Sequence, residues 1–278
     1  MNWNLRSSRS SSVPAVFAAS AASAASAASD LLNKVPAVTA GFWIIKILST
    51  TVGETGADYL AVNAGMGQFG SAGLMTVLLA IAALLQVRAR RRIVWLYWLT
   101  VILISIVGTQ ITDGLTDGLG ISLYLSSAAF GVTLAVVFWI WYRCERTLSI
   151  RAVNTRRREL FYWACVLCTF ALGTAAGDLA TEVWGLGFRL GVLAFGASIG
   201  ATLLAWCFGA STVLTFWLAY ILTRPLGAAL GDLLTQATEY GGLGIGAKLT
   251  SAIFLAAIVA LVALSQYLGA RPKAASTN

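Results

Sequence analysis

An aromatic residue and a tryptophan, then nine residues, a glycine, four residues and an aspartate: this order recurs four times in the chain. The copies are Phe42-Trp43…Gly53…Asp58, Tyr97-Trp98…Gly108…Asp113, Tyr162-Trp163…Gly173…Asp178 and Phe216-Trp217…Gly227…Asp232. A fixed spacing repeated four times asks for one local structure built four times and stacked on itself. Each copy also runs through an apolar stretch, so the fold must accommodate an aspartate in every unit where lipid would not tolerate it.

The surroundings of each aspartate repeat as well. Four positions before it stand Glu54, Thr109, Thr174 and Ala228, and four positions after it Val62, Asp117, Glu182 and Gln236. Residues four apart share one face of a helix, so each copy carries a polar stripe. Three residues after the aspartate come Thr116, Thr181 and Thr235, with Ala61 in the first copy. Of the eleven acidic residues in the chain, seven lie on these stripes, which makes the stripes the natural place to look for chemistry.

Composition settles the solvent. The 278 residues are 58% hydrophobic and 11% charged, with a mean hydropathy of +0.80; a soluble domain carries about 25% charged residues. A soluble enzyme and a nucleic-acid-binding domain are both excluded. The net charge of +8 comes from clusters between apolar runs, Arg88 with Arg90, Arg91 and Arg92, and Arg143 through Arg158, which is the positive-inside pattern.

Apolar runs at about 38–60, 71–87, 93–111, 121–141, 160–180, 188–206, 212–234 and 249–268 predict eight transmembrane helices, most reaching the roughly 17–25 residues that a span requires. The fold class is thus an all-α membrane protein of four parallel two-helix repeats, at about 36–92, 93–157, 158–210 and 211–270 within a transmembrane domain of 34–270. Each unit passes through a glycine-rich turn, such as Gly65-Met66-Gly67 or Gly185-Leu186-Gly187, and returns in a plainer helix. Two spans per unit keep all four units pointing the same way, with the motif helices innermost around a pseudo-symmetric axis. Residues 1–33, with four Ala-Ala-Ser steps, read as a low-complexity cytoplasmic tail, and 271–278 as a second one. Both termini fall on the side of the arginine clusters, which places the protein in an inner membrane with cytoplasmic ends.

The aromatic pairs are expected to form an interfacial belt, and the glycines to permit close helix packing. The fifteen-residue step from Trp43 to Asp58 covers roughly 22 Å at ~1.5 Å per residue, so the acids lie toward the opposite face. The C-x2-C of Cys165 and Cys168 has no histidine or second pair to complete a soft-metal site, and reads as two small residues within a helix.

Glu54, Asp58, Asp113, Asp117, Asp178, Glu182 and Asp232 are the candidate cation ligands, with neutral oxygens from Thr55, Thr109, Thr116, Thr174, Thr181 and Thr235. Carboxylates in a low-dielectric site hold either protons or cations. Intramembrane cations are fewer than the acids: Lys46, Arg224 and, near span starts, Arg189 and Lys248. Oxygen donors without histidine or thiolate favour hard divalent cations, Mn²⁺ before Mg²⁺ or Ca²⁺. Transport of such a cation, by carrier or channel, is therefore the first expectation. A non-transporting membrane anchor or regulatory protein, and a proton- or monovalent-cation-coupled transporter of another solute, remain open. The chain is not read as an enzyme, having no histidine base, serine-nucleophile motif or phosphate loop, and no resident cofactor is expected. Its expected partners are the lipid bilayer and the cation.

The run Asn33-Lys34-Val35-Pro36-Ala37-Val38-Thr39, followed by Phe42-Trp43-Ile44-Ile45-Lys46, Thr50-Thr51-Val52-Gly53-Glu54-Thr55 and Asp58-Tyr59-Leu60, resembles a family of bacterial integral membrane proteins labelled uncharacterised membrane-anchored protein. The resemblance extends over about residues 33–270 and implies a multi-spanning inner-membrane protein. It implies no substrate.

Overall fold

The computed structural model describes residues 33–270, and the Ala/Ser tail and the C-terminal tail fall outside them. Among the described residues there are eight long helices and no strand: α1 (Ala40–Asp58), α2 (Gly67–Arg88), α3 (Val94–Asp113), α4 (Leu123–Glu145), α5 (Arg156–Asp178), α6 (Gly187–Cys207), α7 (Thr212–Thr235) and α8 (Ala247–Ala270). Local signals set several starts: Thr39, Ser122 and Thr155 each accept a backbone N–H three residues on, satisfying a donor that the first turn leaves free. Gly65 and Gly67 both take φ +67°, a left-handed conformation that makes the tight reversal between α1 and α2.

Seven of the eight helices are long and apolar enough to cross a membrane. The exception is α1, which carries Lys46, Glu54, Asp58 and the hydroxyls of Ser49, Thr50, Thr51 and Thr55. It survives at that depth because those groups are covered by protein. All of them except Asp58 are buried.

The four motif helices α1, α3, α5 and α7 pack side by side in a closed ring, with α7 returning to α1. In the apolar windows of α3, α5 and α7, 72, 61 and 56% of residues are buried, against 22, 11, 6 and 17% in α2, α4, α6 and α8. The motif helices are inside and the return helices outside. Each return helix lies chiefly against the motif helix of the following repeat: α2 on α3, α4 on α5, α6 on α7, and α8 on α1. Neighbouring units are thereby laced together, and the last closes on the first.

The repeated glycine explains the ring. A Cβ at Gly53 would fall 1.8 Å from Ser105 Oγ, one at Gly108 2.9 Å from Phe170 Cβ, one at Gly173 2.5 Å from Arg224 Cβ, and one at Gly227 1.9 Å from Thr50 Oγ1. Ser105, Phe170, Arg224 and Thr50 each stand three residues before the glycine of their own copy. The same helix-to-helix contact is made four times around the axis, and only a missing side chain permits it. Pro225, within the continuous α7, packs its ring at 3.1 Å from the space a Cβ would take at Gly173 and at Gly177.

The aromatic pairs are not an interfacial belt. Phe42, Tyr97, Tyr162 and Phe216 are buried, and each meets the tryptophan of the next copy: Phe42 with Trp98 at 5.2 Å between ring centroids, Tyr97 with Trp163 at 5.4 Å, Tyr162 with Trp217 at 6.1 Å and Phe216 with Trp43 at 5.6 Å. The tryptophans do lie at the end carrying the arginines, but Trp98, Trp163 and Trp217 are buried, so the rings turn inward and close the axis. The Tyr97 and Tyr162 hydroxyls hydrogen-bond at 2.5 Å, and Trp217 Nε1 donates to Leu148 O at 3.0 Å. At the same end Lys34 Nζ donates to Gln86 O and Val87 O, each at 3.1 Å, and pairs with Glu159, tying the segment before α1 to α2 and α5.

Gly227→Ala is expected to lower the unfolding midpoint in detergent, by an overpacking cost of about 1–3 kcal/mol. Gly196→Ala on α6, with open space beside it, is expected to leave the midpoint unchanged or raise it. Thermal denaturation of both purified variants checks the pair.

Candidate functional site

Along each motif helix the axis is lined by residues four apart. On α1 these are Phe42, Lys46, Thr50, Glu54 and Asp58; on α3, Tyr97, Val101, Ser105, Thr109 and Asp113; on α5, Tyr162, Val166, Phe170, Thr174 and Asp178; on α7, Phe216, Tyr220, Arg224, Ala228 and Asp232. The first four residues of every row are buried, and the aspartates are partly open. Five layers result, separated by about 6 Å at ~1.5 Å per residue. The aromatic and the aspartate layers repeat in all four copies. The three between them differ from copy to copy.

Directly after Asp58, Asp113 and Asp178 the helix widens into a π turn, at Tyr59–Asn63, Gly114–Gly118 and Leu179–Val183. Bonds five residues long close two of them, from Ala64 N–H to Tyr59 O at 2.8 Å and from Trp184 N–H to Leu179 O at 3.0 Å. Such turns re-aim side chains at functional positions. In the second and third copies the turn carries Asp117 and Glu182. The fourth copy stays α-helical to Thr235, where Gln236 N–H caps Asp232 O at 2.9 Å.

All seven sequence-designated acids, Glu54, Asp58, Asp113, Asp117, Asp178, Glu182 and Asp232, line one cavity of about 270 Å³ at the end away from the arginine clusters. Thr116 and Gln236 add neutral oxygens, and Leu123 and Phe188 an apolar edge. At roughly 30 Å³ per water, the space equals about nine waters. Among the described residues no set of three such side chains is arranged to hold a metal ion directly.

The floor is an ion pair. Arg224, fully buried on α7, donates from Nη2 to Glu54 Oε2 at 2.6 Å and to Thr109 Oγ1, while Thr109 Oγ1 also reaches Glu54 Oε2 at 3.4 Å. The other six cavity acids have no ion-pair partner among the described residues. Like charges this close repel, and the repulsion is relieved by bound protons or cations.

Several expected oxygens are not part of the cavity lining. Thr55 hydrogen-bonds Ser251 Oγ of α8 at 2.6 Å, and Thr174 and Thr181 turn back to the carbonyls of Phe170 and Gly177, as buried helical threonines do. Thr235 is absent from the cavity lining. Thr116 lines it, and Thr109 serves its floor. Cys165 is buried within α5, Cys168 is half-buried, and both are free thiols. The layered order of the axis was missed by sequence reasoning, although the four-residue spacing from each leading aromatic to its aspartate carries it.

Glu54→Gln leaves the buried Arg224 charge without its counter-charge and is expected to cost about 3–5 kcal/mol. Adding Arg224→Met in the same chain is expected to restore part of that loss, which a double-mutant cycle of unfolding midpoints would read out.

The family model described as Repeat of Unknown Function (DUF347) matches the chain four times, at residues 41–92, 96–147, 161–211 and 215–269. No curated protein and no solved structure matches it.

Proposed function

We propose that the chain, which belongs to the family of the Repeat of Unknown Function (DUF347), is a multi-pass bacterial inner-membrane carrier for a hard divalent cation. One observation carries this reading: all four repeats deliver carboxylates to a single cavity, and six of the seven have no ion-pair partner among the described residues. An anchor without a substrate has no use for that concentration of negative charge, whose cost in a dry interior is high. Oxygen-only donors around a cavity of about 270 Å³ fit Mn²⁺, Mg²⁺ or Ca²⁺, with Mg²⁺ the slowest to give up its waters.

A carrier is favoured over an open channel by what lies below the cavity. The guanidinium of Arg224 sits on the path, and beneath it come Lys46 and the aromatic layer. A fixed positive charge in a narrow passage repels cations. Passage therefore requires the floor to move, and the ring of equivalent glycine contacts offers surfaces along which helices can shift. With the arginine clusters on the cytoplasmic side, the cavity opens to the outside and both termini lie in the cytoplasm.

Purified protein in vesicles loaded with a metal-quenched dye is expected to admit Mn²⁺, with Mg²⁺ and Ca²⁺ as parallel arms. Asp113→Asn and Asp178→Asn are expected to slow entry roughly tenfold or more, as loss of intramembrane carboxylates on an ion path does, without altering the gel-filtration profile. Vesicles that move none of the three ions, with variants identical to the parent, would overturn the reading.

A further inference from the structure

The most unusual group in the ring is not an acid. Lys46, two turns below Glu54 on α1, is 1% exposed. Its Nζ lies 4.1 Å from the centroid of Phe170 and 4.3 Å from that of Tyr220, and donates to Thr223 Oγ1 at 3.3 Å. None of the ion pairs among the described residues includes it. An amine in a dry interior needs a counter-charge or strong substitutes to stay charged, and here it has two aromatic faces and one hydroxyl.

The groups facing it are few. From α7 come Tyr220, whose buried hydroxyl stands with those of Tyr97 and Tyr162, and Arg224, whose Nε and Nη1 lack a hydrogen-bond partner. From α5 come Phe170 and, one layer down, Tyr162; from α3, Tyr97 and Ser105; from α1 itself, Glu54, already held by Arg224. The titratable groups of α8, Lys248 and Tyr267, stand near its two ends.

We propose that Lys46 is a proton site that couples the carrier to a proton moving against the cation, an inference that rests on the transport reading above. Its hydrogen-bond partner Thr223 directly precedes Arg224 on α7, so a shift of α7 that lifts Arg224 from Glu54 also releases Lys46 and brings water to it. In that state the ammonium passes one proton to water: an N–H bond breaks, a hydronium ion forms and leaves, and the neutral amine remains beside the arriving cation. When the cation has gone, the amine takes a proton back from water on the other side and the floor closes. One positive charge is thus removed from the axis each time the cation adds its own. Lysine can exchange a proton in this way, whereas arginine keeps its charge.

The test uses full-length protein in vesicles carrying a trapped pH dye, with Mn²⁺ added outside and its entry recorded in parallel. Mn²⁺ entry is expected to carry protons out and make the lumen more alkaline. Lys46→Gln and Lys46→Arg are both expected to reduce the proton flux roughly tenfold or more, while Mn²⁺ binding to the cavity stays within about twofold of the parent, since the acids of an intramembrane site remain in place. A purely structural charge at this position would be rescued by Lys46→Arg, so proton flux at the parent rate in that variant overturns the proposal. Mn²⁺ entry into parent vesicles without any pH change overturns it too, a result that needs no folded variant. That outcome leaves the transport reading standing, whereas vesicles that move no cation remove both.

Discussion

The closed ring depends on four places where one helix backbone meets the side chain of the next. Gly53, Gly108, Gly173 and Gly227 are spaced identically in their copies and make the same contact around the axis, the last reaching Thr50 of the first copy. Membrane helices gain little from excluding lipid, so their association relies on close van der Waals approach. A side chain at any of these positions would force two neighbours apart. Closure of α7 on α1 is what converts a linear array of repeats into a vessel with an inside, and the placement of each return helix on the following repeat secures it.

The ring inverts the polarity of a soluble bundle. Apolar side chains such as Val77, Leu193 and Val259 cover the outside, while hydroxyls, Lys46, Arg224 and the carboxylates occupy the axis. The two ends of that axis are symmetric and the middle is not. Aromatic residues in all four copies seal one end, and aspartates in all four surround the other. Between them, Lys46, Arg224 and Glu54 each appear once, and Glu54 and Arg224 come from adjacent helices to form a single ion pair. A fourfold vestibule thereby leads to an asymmetric floor, built by repetition at its rim and by one unique ion pair at its base.

Much of this was legible in the sequence because repetition turns single residues into a pattern. The seven acids were recognisable together once the copies were aligned, and parallel two-helix units required the stripes to end at a common level. What stayed hidden has physical reasons. A tryptophan near arginine clusters reads equally as a membrane-interface residue or as a seal, and only the burial of Phe42, Tyr97, Tyr162 and Phe216 decides it. The π turns after Asp58, Asp113 and Asp178 have no local composition that announces them. The hydroxyls of Thr55, Thr174 and Thr181 resemble ligands in sequence, yet none of them lines the cavity. Arg224 was visible as an intramembrane cation, but its pairing with Glu54 spans 170 positions and exists only because the ring closes.

The central claim is that four repeats bring their aspartates to one shared cavity on one side of the membrane. Single cysteines at Asp58, Asp113, Asp178 and Asp232, each in a chain lacking Cys144, Cys165, Cys168 and Cys207, and labelled in oriented vesicles with a membrane-impermeant thiol reagent, test it most directly. All four are expected to react from the face opposite the arginine clusters, and none from the other. Reaction of any pair from opposite faces, or of only one or two of the four, would contradict the shared cavity.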